Sequence, residues 1–164
     1  MLMPNKQKGG GVILLTLLIA LYLAILPIPA WAAEFRPPWA SLALIYWCLA
    51  MPERVGVLTA WFLGLTLDSL TGAMLGENAL AMSVIAYICL HIFNRVRVFP
   101  LWQQALIVFS LLLLQYMISF WTRSSLGHMP VTFLFWVPPV VGALIWPWLF
   151  VILRDIRRRF NVAR

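Results

Sequence analysis

Few side chains in this 164-residue chain can do chemistry, and their spacing narrows what that chemistry is. Asp68 is the only carboxylate that hydropathy places within an apolar span. If its helix begins near Arg54, Asp68 lies about 21 Å up the axis, past the bilayer midplane. An ionisable residue at that depth is unfavourable by a few kcal/mol and marks a functional site by default. The competing reading is a helix-end role, in which Asp68-Ser69-Leu70-Thr71-Gly72 satisfies freed backbone groups. Gly56, Ala60, Gly64, Asp68, Gly72 and Gly76 recur every four residues, a ridge of small side chains that lets membrane helices approach closely. Asp68 therefore points into protein. Arg36 and Arg123 are the cations on its half of the bilayer, so the expectation is that Asp68 pairs with Arg36 or with backbone groups at the start of a neighbouring helix. Arg36 is followed by Pro37 and Pro38, which are placed to start the second span.

Other chemistry is missing. There is no Gly-x-Ser-x-Gly elbow, P-loop, His-Glu-x-x-His helix or glycine-rich dinucleotide turn. An intramembrane aspartyl protease needs two opposed aspartates, and the spans offer Asp68 alone. Cys48 and Cys89 lie in apolar stretches without metal-ligand spacing and read as packing residues. His91 and His128 fall near opposite interfaces, too far apart to share a metal. No catalytic residue, metal or cofactor is implied.

The elements that position these residues follow from composition. Hydrophobic residues make up 63% of the chain and charged residues 10%, against about 25% in a soluble domain. Six spans of about 20 residues would leave only short loops and tails, with no room for a soluble catalytic domain. The expected fold is all-α: a polytopic helical bundle in one membrane domain, 1–164, with spans near 10–30, 38–52, 55–72, 78–94, 99–121 and 132–153. The first span reads as retained rather than as a cleaved signal peptide, because further apolar segments follow at once. The second and third are short enough to suggest a tilted or re-entrant hairpin.

Charge placement orients the bundle. The net charge of +7 would suggest nucleic acid in a soluble protein, but the bases sit at the ends of apolar runs, where they face lipid headgroups. With both termini inside, Lys6, Lys8, Arg54, Arg95, Arg97, Arg154, Arg157, Arg158, Arg159 and Arg164 fall on the cytoplasmic side. Only Arg36 and Arg123 fall outside. The partner is thus a membrane and not nucleic acid. Arg154, Arg157, Arg158 and Arg159 are candidate contacts for anionic lipid or an acidic partner, although a positive-inside anchor explains most of them. Most tryptophans, among them Trp31, Trp39, Trp102, Trp121, Trp146 and Trp148, read as an interfacial belt. Pro138 and Pro139 are expected to kink the sixth span, more for packing than to line a substrate site.

Several stretches in order carry a resemblance: Phe35-Arg36-Pro37; Pro52 and its basic turn; Gly64-Leu65-Thr66-Leu67-Asp68-Ser69-Leu70-Thr71-Gly72-Ala73-Met74-Leu75-Gly76; Leu101-Trp102-Gln103-Gln104-Ala105; and Leu144-Ile145-Trp146-Pro147-Trp148. Together they resemble the gammaproteobacterial rod shape-determining MreD family over essentially the whole chain. That resemblance implies a non-enzymatic component of the inner (cytoplasmic) membrane that supports side-wall peptidoglycan synthesis. It implies as partners the bitopic protein MreC, a RodA-like SEDS glycosyltransferase and a class B penicillin-binding protein, directly or through MreC, with MreB filaments engaged indirectly. It also implies likeness to the substrate-binding subunits of energy-coupling-factor transporters, and hence an outward cavity near Asp68. The candidate interaction residues are Asp68, Arg36, Gly64, Gly72, Gly76 and Pro37. A lipid- or small-molecule-binding subunit is the alternative.

Overall fold

Uncharged apolar runs broken by Pro, Gly and short charged turns leave the backbone one way to satisfy itself, which is to coil into helices within each run. The computed structural model describes residues 9–33, 35–127 and 133–160, and all regular structure among them is helical. In chain order the α-helices are α1 (Gly10–Ile25), α2 (Ala30–Ala33), α3 (Trp39–Ala50), α4 (Val57–Thr71), α5 (Glu77–Val96), α6 (Leu101–Ser125) and α7 (Val137–Arg159), with a 3-10 turn, Phe133–Trp136, before the last. Among the described residues, three helical stretches are long and apolar enough to cross a membrane: Glu77–Val96, Leu101–Ser125 and the continuous Phe133–Arg159. α1, α3 and α4 are apolar but shorter. Lys6, Lys8, His128 and Arg164 lie outside the described residues.

The short α3 is the axis of the bundle. Every residue from Ala40 to Ala50 is buried. Its neighbours are α1, α5, α6 and α7, while α4 packs on α5 and α1. The second and third apolar segments run antiparallel through a short turn but pack mainly on other helices and little on each other. A helix of 12 residues spans only about 18 Å, but one enclosed by longer helices has no lipid thickness to match. Its apolar residues all round, without a polar stripe, fit that setting. Trp47 is fully enclosed and donates its indole N–H to Thr16 Oγ1 at 2.9 Å, which ties α3 to α1.

Prolines set the boundaries. α1 stops at Ile25, short of the expected 30, because Pro27 removes a donor and turns Leu26 away from helical geometry. Pro138 and Pro139 do not kink the last helix as expected; they occupy its first turn, where no N–H partner is needed. Pro147 lies inside α7. Trp146 before it departs from the interfacial belt: it is fully buried, with its Nε1 3.4 Å from Gln104 Oε1. Trp31, Trp102, Trp121 and Trp148 are exposed. Val140, Leu144, Trp148 and Ile152 form an exposed apolar stripe along α7, as a lipid-facing helix surface would.

Chain direction alternates between successive long elements. One cavity gathers Ala24 near the end of α1, Trp39 at the start of α3, Thr71 at the end of α4, Glu77 at the start of α5, Arg123 near the end of α6 and Pro138 at the start of α7. A second gathers the end of α3, the end of α5, the start of α6 and the C-terminal part of α7. Among the described residues, Arg54, Arg95, Arg97, Arg154, Arg157, Arg158 and Arg159 belong to the second end. Only Arg36 and Arg123 belong to the first.

Candidate functional site

Asp68 is 1% exposed and sits in the last turns of α4. Its Oδ2 accepts from the Gly76 main-chain N–H at 3.0 Å; its Oδ1 accepts from Asn78 N–H at 3.1 Å and from the Asn78 side-chain amide at 2.8 Å. These groups open α5, whose N-cap is Gly76 and has no side chain to cap with. Asp68 thus acts as a cap supplied by the preceding helix. Its charge faces the positive end of the α5 dipole, where three donated hydrogen bonds stabilise it. Of the two expected partners, the structure shows the backbone groups of a neighbouring helix and not Arg36.

The glycines around Asp68 serve the same junction. Gly72 ends α4 at φ +69° and Gly76 precedes α5 at φ +101°, left-handed conformations that disfavour side chains. At Gly64 the reason is contact: a Cβ there would lie 2.5 Å from Ala79 N and 2.7 Å from Asn78 C. Ala60, Gly64 and Asp68 are all buried. The expected ridge exists, but α5 itself covers it, so it offers no groove to another protein.

Arg36 has a different task. Its guanidinium donates to the carbonyls of Ala24 and Leu26, which are among the unsatisfied acceptors at the end of α1. Arg97 does the same for α3, with Nε to Leu49 O at 2.7 Å and Nη2 to Ala50 O at 2.8 Å. Arg97 was expected only to set orientation. Asp68, Arg36 and Arg97 thus each place a charge at a helix terminus of the opposite partial sign.

The ion pair near Asp68 was not anticipated. Arg123 Nε donates to Glu77 Oε1 at 2.8 Å, with the Glu77 side chain 3% exposed and that of Arg123 40%. Arg123 also lies 5.6 Å from the centre of the Phe135 ring, bringing α6 toward the 3-10 turn before α7. Glu77 falls one residue ahead of the uncharged run that marks the fourth span, so hydropathy assigns it to a loop. The signal that could have found it is an acidic residue directly after Gly76, as at a helix N-terminus.

Arg36, Pro37, Glu77, Asn78, Gln115 and Arg123 line part of a cavity of about 270 Å³. Gln115 Oε1 and Arg36 Nε are buried there without hydrogen-bond partners among the described residues. Asp68 contributes no wall. Arg36 and Pro37 are therefore at a cavity, Asp68, Gly64, Gly72 and Gly76 are at a helix junction, and Arg154, Arg157, Arg158 and Arg159 are at the far end of the bundle. Cys48 and Cys89 are free and buried.

These features define an all-helical membrane protein whose buried charges close helix ends and clamp neighbouring helices. The family model described as rod shape-determining protein MreD matches residues 6–156, and the chain belongs to that family. It is 34% identical over 148 residues to the rod shape-determining protein MreD of Haemophilus influenzae, covering 88% of this chain and 89% of that one. No solved structure matches the chain. It is a rod-shape-determining membrane protein.

Proposed function

We propose that the chain is a non-enzymatic scaffold of the cell elongation complex in the inner membrane. In this reading it crosses the bilayer six times with both termini in the cytoplasm. It supports side-wall peptidoglycan synthesis by docking an MreC-like bitopic protein and, directly or through it, a SEDS glycosyltransferase and a class B penicillin-binding protein, with MreB filaments engaged indirectly. Family membership carries the reading. The alternation of helix ends supports the topology, since it puts seven described arginines at one end and two at the other, the asymmetry expected of a cytoplasmic and an external face.

Because α5 fills the small-residue ridge of α4, a partner helix must meet another surface. The outward face of α4, with Leu58 and Phe62, and the α7 stripe with Leu144 and Trp148 are two of the exposed apolar faces that could receive it, beside those of α1, α5 and α6. Single cysteines at Leu58, Phe62, Leu144 and Trp148, crosslinked in membranes to an MreC-like helix, test the scaffold role. Leu18 on α1, Tyr87 on α5 and Leu106 on α6 extend the scan to the other exposed faces; crosslinks confined to one face support the role, and none from any position, with normal membrane abundance, removes it.

The second reading, a lipid- or small-molecule-binding subunit, draws support from the cavity lined by Arg36, Glu77, Gln115 and Arg123 and from its buried Gln115 Oε1, which has no partner among the described residues. Its site is beside Asp68 and does not include it. Ordered density against Gln115 in an experimental structure would favour this reading, and a cavity filled by side chains would remove it.

A further inference from the structure

At the arginine-rich end, a cavity of about 470 Å³ opens where α3 and α5 finish, α6 begins and α7 passes. Among the described residues its charged walls are Arg97 and Arg157, and no carboxylate lines it. We propose that this cavity seats the phosphate-bearing headgroup of an anionic phospholipid, with Arg157 as its main ligand.

The Arg157 charge is in place and meets no counter-charge among the described residues. Arg157 is half-buried, whereas Arg158 and Arg159 are exposed, so α7 turns one guanidinium of the run inward. Arg157 makes no hydrogen bond or ion pair among the described residues. The nearby Asp155 is largely exposed and lies 3.9 Å from Arg154. Arg97 is already oriented by the Leu49 and Ala50 carbonyls, which fix its guanidinium in the wall. A half-buried cation without a counter-charge calls for an anion, and a guanidinium matches phosphate oxygens through its planar fork.

The rest of the wall separates a lipid from a free anion. Leu49, Met51, Val96 and Phe150 give the same cavity an apolar wall, beside the polar Tyr46 and Gln104. Inorganic phosphate has no use for such surface, but the glycerol and first methylenes of a phospholipid do. Basic pockets between helix ends at the cytoplasmic surface suit anionic headgroups on general electrostatic grounds. The inference does not depend on the partners proposed above.

The test uses the full purified chain in detergent, with mixed micelles containing phosphatidylglycerol or phosphatidylcholine and, separately, inorganic phosphate. Native mass spectrometry reads bound lipid, and thermal unfolding reads stabilisation. Wild type should retain phosphatidylglycerol about tenfold more than phosphatidylcholine, a preference lost in Arg157→Gln and kept in Arg158→Gln. Equal loss in both variants would mean diffuse surface attraction and overturns the proposal. So does stabilisation by inorganic phosphate alone as large as that by phosphatidylglycerol, or an absence of lipid preference in wild type. Should Arg157→Gln fail to fold, Arg157→Lys decides, since it keeps the charge without the fork: a several-fold weaker preference supports the site and an unchanged one overturns it.

Discussion

The Asp68 carboxylate holds Asn78 twice, through the main-chain N–H at 3.1 Å and the side-chain amide at 2.8 Å, and so locks the end of α4 to the first turn of α5. A charge that hydropathy marks as out of place is fully occupied in building a helix junction. It closes α5 from outside that helix's own sequence, because Gly76 cannot.

Asp68→Ala should therefore lower stability before it alters anything else. Loss of a charged cap with three donated hydrogen bonds is expected to destabilise the chain by about 2–3 kcal/mol, and Asp68→Asn by less, since one acceptor oxygen remains. Thermal unfolding in detergent should rank wild type above Asn and Asn above Ala. An alanine variant as stable as wild type that fails to maintain rod shape would instead assign Asp68 a ligand or partner.

Gly64 and Gly11 should respond in opposite directions to the same change. A methyl at Gly64 meets the α5 backbone, so Gly64→Ala should destabilise by about 1–3 kcal/mol as the helices are forced apart. Gly11, in α1, has nothing within 4 Å of a built Cβ, and Gly11→Ala should be neutral or stabilising by up to about 1 kcal/mol. Thermal midpoints and membrane abundance of the two variants, measured side by side, check both signs.

The Glu77–Arg123 pair should be asymmetric. Removing Arg123 strands a carboxylate that is 3% exposed, whereas removing Glu77 frees a guanidinium that is already 40% exposed. Arg123→Gln should be unfavourable by about 3 kcal/mol, near the lower limit for a broken buried pair because the α5 N-terminus still faces Glu77. Glu77→Gln should cost about 1 kcal/mol or less, and the double variant should recover most of the Arg123→Gln loss. Equal losses in the two single variants would contradict the difference in burial.

Arginine and lysine should not be interchangeable at position 97. The guanidinium reaches Leu49 O and Ala50 O together, which an ammonium on a single point cannot match. Arg97→Lys should destabilise by about 1–2 kcal/mol despite the retained charge. Arg159→Lys, at an exposed position, should leave the thermal midpoint unchanged.

Much of this was legible in the residues. Apolar runs gave helices α5 and α6 nearly to their ends, and the four-residue spacing placed Ala60, Gly64 and Asp68 on one buried face. Sequence could pose the choice between Arg36 and backbone groups for Asp68 but not decide it, because the answer depends on how the turn between Gly72 and Gly76 folds back. Charge counting treated Arg36 and Arg97 as orientation signals; that each reaches back to a helix end 10 to 48 residues earlier in the chain is a tertiary fact. The buried Trp146 was hidden for a related reason, since its flanking Pro147 and Trp148 resemble a span end until α7 is seen to continue to Arg159.

The enclosure of α3 bears on how the protein is made. A helix of 12 residues is too short to be comfortable alone in lipid, and its native surroundings include α5, α6 and α7, which the ribosome has not yet synthesised when α3 emerges. α3 therefore reaches its full enclosure only once the later helices are made. The order of synthesis and the order of burial run against each other, so the native burial of an early helix depends on the second half of the chain.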